Sequence, residues 1–175
     1  MAQGFERLYR AYVRLLTWLG ILCGLITFAI MWLIDANALM RKLFNTPVPG
    51  AFELTEAGLV LIVFLSLAYT QSRRGHIRVT LLTRHLPIGL QHALYIAVLL
   101  VGAAFFAWCA YAAFGYAMRS YSIGEEEWGQ IRFPIWPVKM AIFVGTVLLS
   151  AQFLLDALRH CFVALGDLSA IGEDP

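Results

Sequence analysis

Four long apolar stretches divide this chain, separated by short polar segments. The first covers residues 15–34 and is closed by Asp35 and Asn37. The second covers about residues 52–69; its charge-free part, 57–72, leaves Glu56 at the boundary. The third runs from about 90 to 118 and contains no charge in the 25 positions from 93 to 117. The fourth covers about 135–155, with Lys139 in its first turns. About 20 residues cross the apolar core of a bilayer as a helix, so each stretch reads as a transmembrane helix. Pro47 and Pro49 precede the second span, Pro87 the third, and Pro134 and Pro137 open the fourth. A proline in the first helical turn costs little, because those N–H groups have no intrahelical partner.

The spaces between spans predict two further segments. Phe5, Leu8, Tyr9, Tyr12 and Leu16 recur at helical spacing, with Arg7, Arg10 and Arg14 on another face. That is the pattern of an interfacial amphipathic helix leading into the first span. Between spans 2 and 3, Ile77, Leu81 and Leu82 oppose Arg78 and Arg84, and Pro87 stops the segment. Arg7, Arg10, Arg14, Arg73, Arg74, Arg78 and Arg84 are the candidate contacts to lipid headgroups, each contributing about 1 kcal/mol near an anionic surface. The same charges also set topology. With spans alternating in direction, eight Lys and Arg fall on the side of the termini and five on the other. The positive-inside rule then places both termini in the cytoplasm.

Composition sharpens this to a single membrane domain, 1–175. Hydrophobic residues make up 61% and charged residues 14% of the chain, against about 45–50% and about 25% in soluble domains. A net charge of +2, spread along the chain, gives no nucleic-acid surface. Ala36-Asn37-Ala38 resembles a signal cleavage site, but the run before it exceeds the usual 7–15 residues of a signal core, so an uncleaved span is expected. Cys23, Cys109 and Cys161 form no CxxC pair and read as small apolar residues. Gly20 and Gly24, Ala103 and Ala107, and Ala141 and Gly145 are small pairs four residues apart, of the kind that lets helices approach closely in a membrane.

Candidate chemistry is sparse. A transporter with its own pathway carries ionisable groups or broken helices at mid-membrane; here the span centres hold only Cys23, Cys109 and tyrosines. His76, His85, His92 and His160 lie in loop 2 or at span ends, where they do not face each other across a haem. Neither a phosphate-binding glycine loop nor a nucleophile–base pair is present. No enzyme activity, catalytic residue, cofactor or metal is therefore expected. Glu53 and Glu56 share a helix face at the start of span 2. They fit a contact to cations on a partner, and equally the favourable end of a helix dipole facing water. Arg41 and Lys42 in loop 1, with Glu125, Glu126 and Glu127 in loop 3, are the other candidate partner contacts.

One succession of motifs is more specific. Phe52 to Pro87 reads FELTEAGLVLIVFLSLAYTQSRRGHIRVTLLTRHLP: an acidic start, an aliphatic span, arginines with Gly75-His76-Ile77, then a leucine-rich stretch to Leu86-Pro87. It is preceded by Asn37-Ala38-Leu39-Met40-Arg41 and Phe44-Asn45, and followed by Arg132-Phe133-Pro134-Ile135-Trp136 with Gly145 downstream. This succession resembles the small membrane subunit, DctQ, of tripartite ATP-independent periplasmic (TRAP) transporters. It departs from that pattern at Thr80, where an acidic residue is expected, and at 124–129. The resemblance implies a bacterial inner-membrane protein working with a large membrane subunit and a periplasmic substrate-binding protein in sodium-coupled import of organic acids. It implies a scaffold role for this chain, with sodium bound in the large subunit. Two other classes fit a four-span chain: the membrane anchor of a respiratory enzyme and a small autonomous transporter.

Overall fold

The structure, a computed structural model, describes residues 2–73, 88–129 and 131–164. Four helices dominate it: α1 (Ala2–Phe44), α2 (Ala51–Ser72), α3 (Ile88–Ile123) and α4 (Trp136–Ala164). All four are long and apolar enough to cross a membrane, as the apolar stretches predict. The strands β1 (Glu126–Trp128) and β2 (Arg132–Pro134) form an antiparallel hairpin between α3 and α4, with Glu127 opposite Phe133. This hairpin is an addition to the all-α architecture expected from the sequence. Gly124, at φ 61, turns the chain out of α3, and the Ile135 N–H donates to the Glu125 carbonyl at 3.1 Å, which closes the base of the hairpin.

The first helix differs most from expectation. Residues 2–44 form one unbroken helix of 43 residues, about 64 Å long at 1.5 Å per residue. No break separates an interfacial segment from the first span. Asp35 and Asn37 end the apolar stretch but not the helix, because neither interrupts backbone hydrogen bonding. The helix stops where Asn45 takes φ 55, a left-handed cap conformation that Asn tolerates, just before Pro47. The Asn37 side chain meanwhile accepts a hydrogen bond from the Val48 N–H at 2.8 Å and so holds the turn into α2. The segment expected along the membrane in loop 2 lies outside the described residues.

The helices stand in a row in which α1 packs on α2, α2 on α4, and α4 on α3. Lipid tails are as apolar as leucine, so packing here depends on close fit. At Gly145 the α4 backbone meets α2 so closely that a Cβ would lie 2.3 Å from the Phe64 carbonyl oxygen. On the α1 side, the Tyr69 ring covers Gly20 and Ile30 covers Gly58. Phe153 of α4 covers Gly102 of α3 and stacks on Phe106 with centroids 5.6 Å apart. The Ser150 hydroxyl donates to the Ala103 carbonyl at 2.8 Å. Leu16, Ala68 and Leu149 are buried together where α1, α2 and α4 converge. Of the small residues picked out in the sequence, Gly20, Ala103, Ala141 and Gly145 lie in contacts or are buried; Ala107 is exposed, and Gly24 meets nothing within 4 Å.

Gly145→Ala should lower stability by about 1–3 kcal/mol, the usual cost of overpacking, because the obstacle is backbone. Gly24→Ala should be neutral or stabilising by up to about 1 kcal/mol. Thermal melts in detergent check both; a Gly145→Ala variant melting with the parent would mean that α2 and α4 do not touch there.

Candidate functional surfaces

Two polar clusters lie at opposite ends of the row. The first joins α1, α2 and α4 near the termini. Gln152, Asp156 and Arg159 follow four- and three-residue spacing and share one face of α4. Asp156 accepts hydrogen bonds from the Tyr9 hydroxyl at 3.2 Å, Gln152 Nε2 at 2.9 Å and Gln71 Nε2 at 3.5 Å. Arg159 pairs with Glu6 at 3.5 Å and lies over the Tyr9 ring, 4.8 Å from its centroid. The Tyr12 hydroxyl donates to the Leu148 carbonyl. Gln152 and Glu6 are buried. The stripe Tyr9, Tyr12 and Leu16 thus turns into the bundle, whereas Leu8 is exposed. Sequence reading places Tyr9 and Tyr12 on one face, but it misses Glu6, Gln71 and Gln152. The signal for them is a polar side chain recurring at helical spacing beside an Asp at a span end.

The second cluster is built by the hairpin. Glu125 pairs with Lys139 at the start of α4, and this holds its carboxyl below the usual glutamate range. Glu126 meets Arg132 across the strands at 3.8 Å, both well exposed. Desolvation, then the charges of Glu56 and Glu53 on α2, hold the Glu127 carboxyl above the usual glutamate range. Gly129 lies so close over Glu53 that a Cβ there would sit 2.0 Å from Glu53 Oε1. Ile131 covers Gly50, which takes φ 77 at the start of α2.

This arrangement corrects one expectation. Glu53 is only 2% exposed; the hairpin of its own chain covers it, so it does not present a charge to a partner or to water. Glu56, Arg41, Lys42 and Glu126 are exposed, and Glu125 and Glu127 are half-buried. Arg7, Arg10, Arg14 and Arg73 are exposed, with Arg73 also over the Tyr69 ring at 5.6 Å. Arg74, Arg78 and Arg84 lie outside the described residues.

Between these ends the surface is apolar. On α1, Trp18, Leu25, Phe28 and Trp32 are exposed, and on α3 so are Val98, Val101, Phe105 and Trp108. The polar groups within the spans bond to nearby carbonyls: Thr17 to Val13, Thr27 to Cys23 and Thr146 to Ile142. The helix of α4 continues through Gly145 without unwinding. Cys23 is buried, Cys109 half-buried and Cys161 exposed, and none of the three is joined in a disulfide. Among the described residues no His, Cys, Asp and Glu side chains are grouped so as to hold a metal ion.

Asp156→Ala leaves three donors without their shared acceptor and should cost about 1–3 kcal/mol. Glu126→Gln breaks only an exposed pair and should cost no more than about 1 kcal/mol. Paired denaturation curves check the contrast, and equal losses would refute it.

No curated protein matches the chain. The family described as "Tripartite ATP-independent periplasmic transporters, DctQ component" matches residues 30–162, a stretch that begins inside α1 and takes in α2, α3, the hairpin and nearly all of α4. The chain therefore belongs to the DctQ family, the small membrane subunits of TRAP transporters.

Proposed function

We propose that this chain is the static, non-catalytic subunit of a sodium-coupled TRAP importer of organic acids in a bacterial inner membrane. It anchors the large membrane subunit, and its hairpin end faces the periplasm. The observation that carries the reading is the contrast between surface and interior. Hydroxyls within the spans, such as those of Thr27 and Thr146, bond to carbonyls of their own helices, while α1 and α3 expose large apolar side chains along both flanks of the row. A helix row so thinly buried has surface to spare for a membrane partner: only 6% of the α1 span is buried within the chain. Membrane helices associate through packing and a few hydrogen bonds, and both flanks supply the apolar area for it.

Sodium sites belong, on this reading, to the large subunit. The exposed charges of the hairpin end, Arg41, Lys42, Glu56 and Glu126, are placed to meet the periplasmic substrate-binding protein. Rim charges of this kind act mainly on association rate and salt dependence. The arginines exposed at the other end, Arg7, Arg10, Arg14 and Arg73, would lie in the cytoplasmic headgroup region and resist displacement of the subunit.

Reconstitution tests the proposal. Proteoliposomes containing this chain alone should show no substrate uptake. Uptake should require the large subunit and the binding protein as well, and fall to background when this chain is omitted. Uptake by the chain alone would overturn the scaffold reading in favour of an autonomous transporter. A haem spectrum in the purified complex would overturn it in favour of a respiratory anchor.

A further inference from the structure

Near the termini, α1 has two faces of opposite kind. Glu6, Tyr9 and Leu16 turn into the bundle. Glu6 is buried and pairs with Arg159 at 3.5 Å, the Tyr9 hydroxyl donates to Asp156, and Leu16 is fully buried. These contacts fix the rotation of the helix about its axis. They leave Arg7, Arg10 and Arg14 on the outward face, all exposed. Arg10 Nε donates to the Glu6 carbonyl of its own helix at 3.4 Å. Among the described residues none of the three arginines is in an ion pair. Glu6, the only acid before Asp35, is turned away from them to Arg159.

The outward face changes character one turn further along. At about 100° per residue, Arg7, Arg14, Trp18 and Leu25 fall nearly on one line, flanked by Arg10 and Phe28. Trp18, Leu25 and Phe28 are 71%, 62% and 58% exposed. From Trp18 to Phe28 the helix rises about 15 Å, which is half of a hydrocarbon core about 30 Å thick. From Arg7 to Arg14 it rises about 10 Å, a height that long side chains adjust to the headgroup layer. The face thus has the layout of one leaflet, with cations at headgroup depth, a tryptophan at the boundary and apolar side chains down to the midplane. It differs from the interfacial helix expected from the sequence. The stripe of Tyr9, Tyr12 and Leu16 is packed inside the bundle, so the segment stands upright and its arginines line up with the span.

We propose that this face of α1 binds an anionic phospholipid, its phosphate held by Arg7, Arg10 and Arg14 and an acyl chain lying along Trp18, Leu25 and Phe28. Charge decides for lipid over a neighbouring apolar helix. Three cations without a counter-charge need an anion, and a guanidinium presents paired donors that match phosphate oxygens. A phospholipid brings that anion and an apolar chain at the separation the face provides. The inference goes beyond the scaffold reading and stands without it. It assigns lipid to the terminal half of this face, and leaves the α3 flank and the other half of α1 to a protein partner.

Native mass spectrometry tests this on the full chain, released from detergent micelles containing equal amounts of phosphatidylglycerol and phosphatidylcholine. The parent should retain phosphatidylglycerol in preference to phosphatidylcholine. Arg14→Gln should lower that preference about fivefold, the attraction of one basic residue for an anionic surface expressed as a ratio. Arg7→Gln, Arg10→Gln and Arg14→Gln together should abolish it; the single variant serves if the triple one fails to fold. Arg119→Gln, which removes an exposed cation of α3 near the hairpin, should leave the preference as it is in the parent. Equal retention of the two lipids by the parent, a preference that persists in the α1 variants, or an equal loss in Arg119→Gln would overturn the proposal.

Discussion

The approach of the α4 backbone at Gly145 to the Phe64 carbonyl of α2 is the constraint on which the rest of the row depends. In lipid no hydrophobic force draws helices together, so contact must come from closeness. Only a residue without a side chain permits this distance. Once α2 and α4 are in contact, each offers its other face to one outer helix. Tyr69 and Gly58 receive α1, and Phe153 and Ser150 receive α3. The result is a row with two apolar flanks, unlike a closed bundle that would bury its own surface.

The polar groups follow the same economy. Those inside the spans bond within their own helix or to the adjacent one, and those that link distant parts of the chain collect at the two ends. Near the termini, Asp156 draws Tyr9, Gln71 and Gln152 together and so binds three helices at one point. At the other end, the hairpin carries Glu125 to Lys139 and seats Gly129 on Glu53. Between these two fastenings the described spans expose mainly apolar side chains, and hydroxyls such as those of Thr27 and Thr146 bond to carbonyls of their own helices. That division of labour fits the DctQ membership of the chain.

How much of this was legible in the sequence depended on what each feature required. The four spans were legible because an apolar run of bilayer length, with charge only near its ends, has few other readings. The extent of α1 was not, since Asp35 and Asn37 end hydrophobicity without ending helicity. Gly145 was visible as a small residue, but Gly24 looked the same, and only the partner's position separates them. Glu53 read as a surface acid because its cover, Gly129, lies more than seventy residues away and belongs to a hairpin with no strong strand pattern. The buried residues around Asp156 lay on a legible helical face, yet their convergence required α1 to continue straight to residue 2.

Tyr9 and Tyr95 both meet the last turns of α4, one at Asp156 and the other at His160. The terminal end of α4 is thus held by a tyrosine from each flank, through a hydroxyl on the α1 side and an edge-on ring contact on the α3 side.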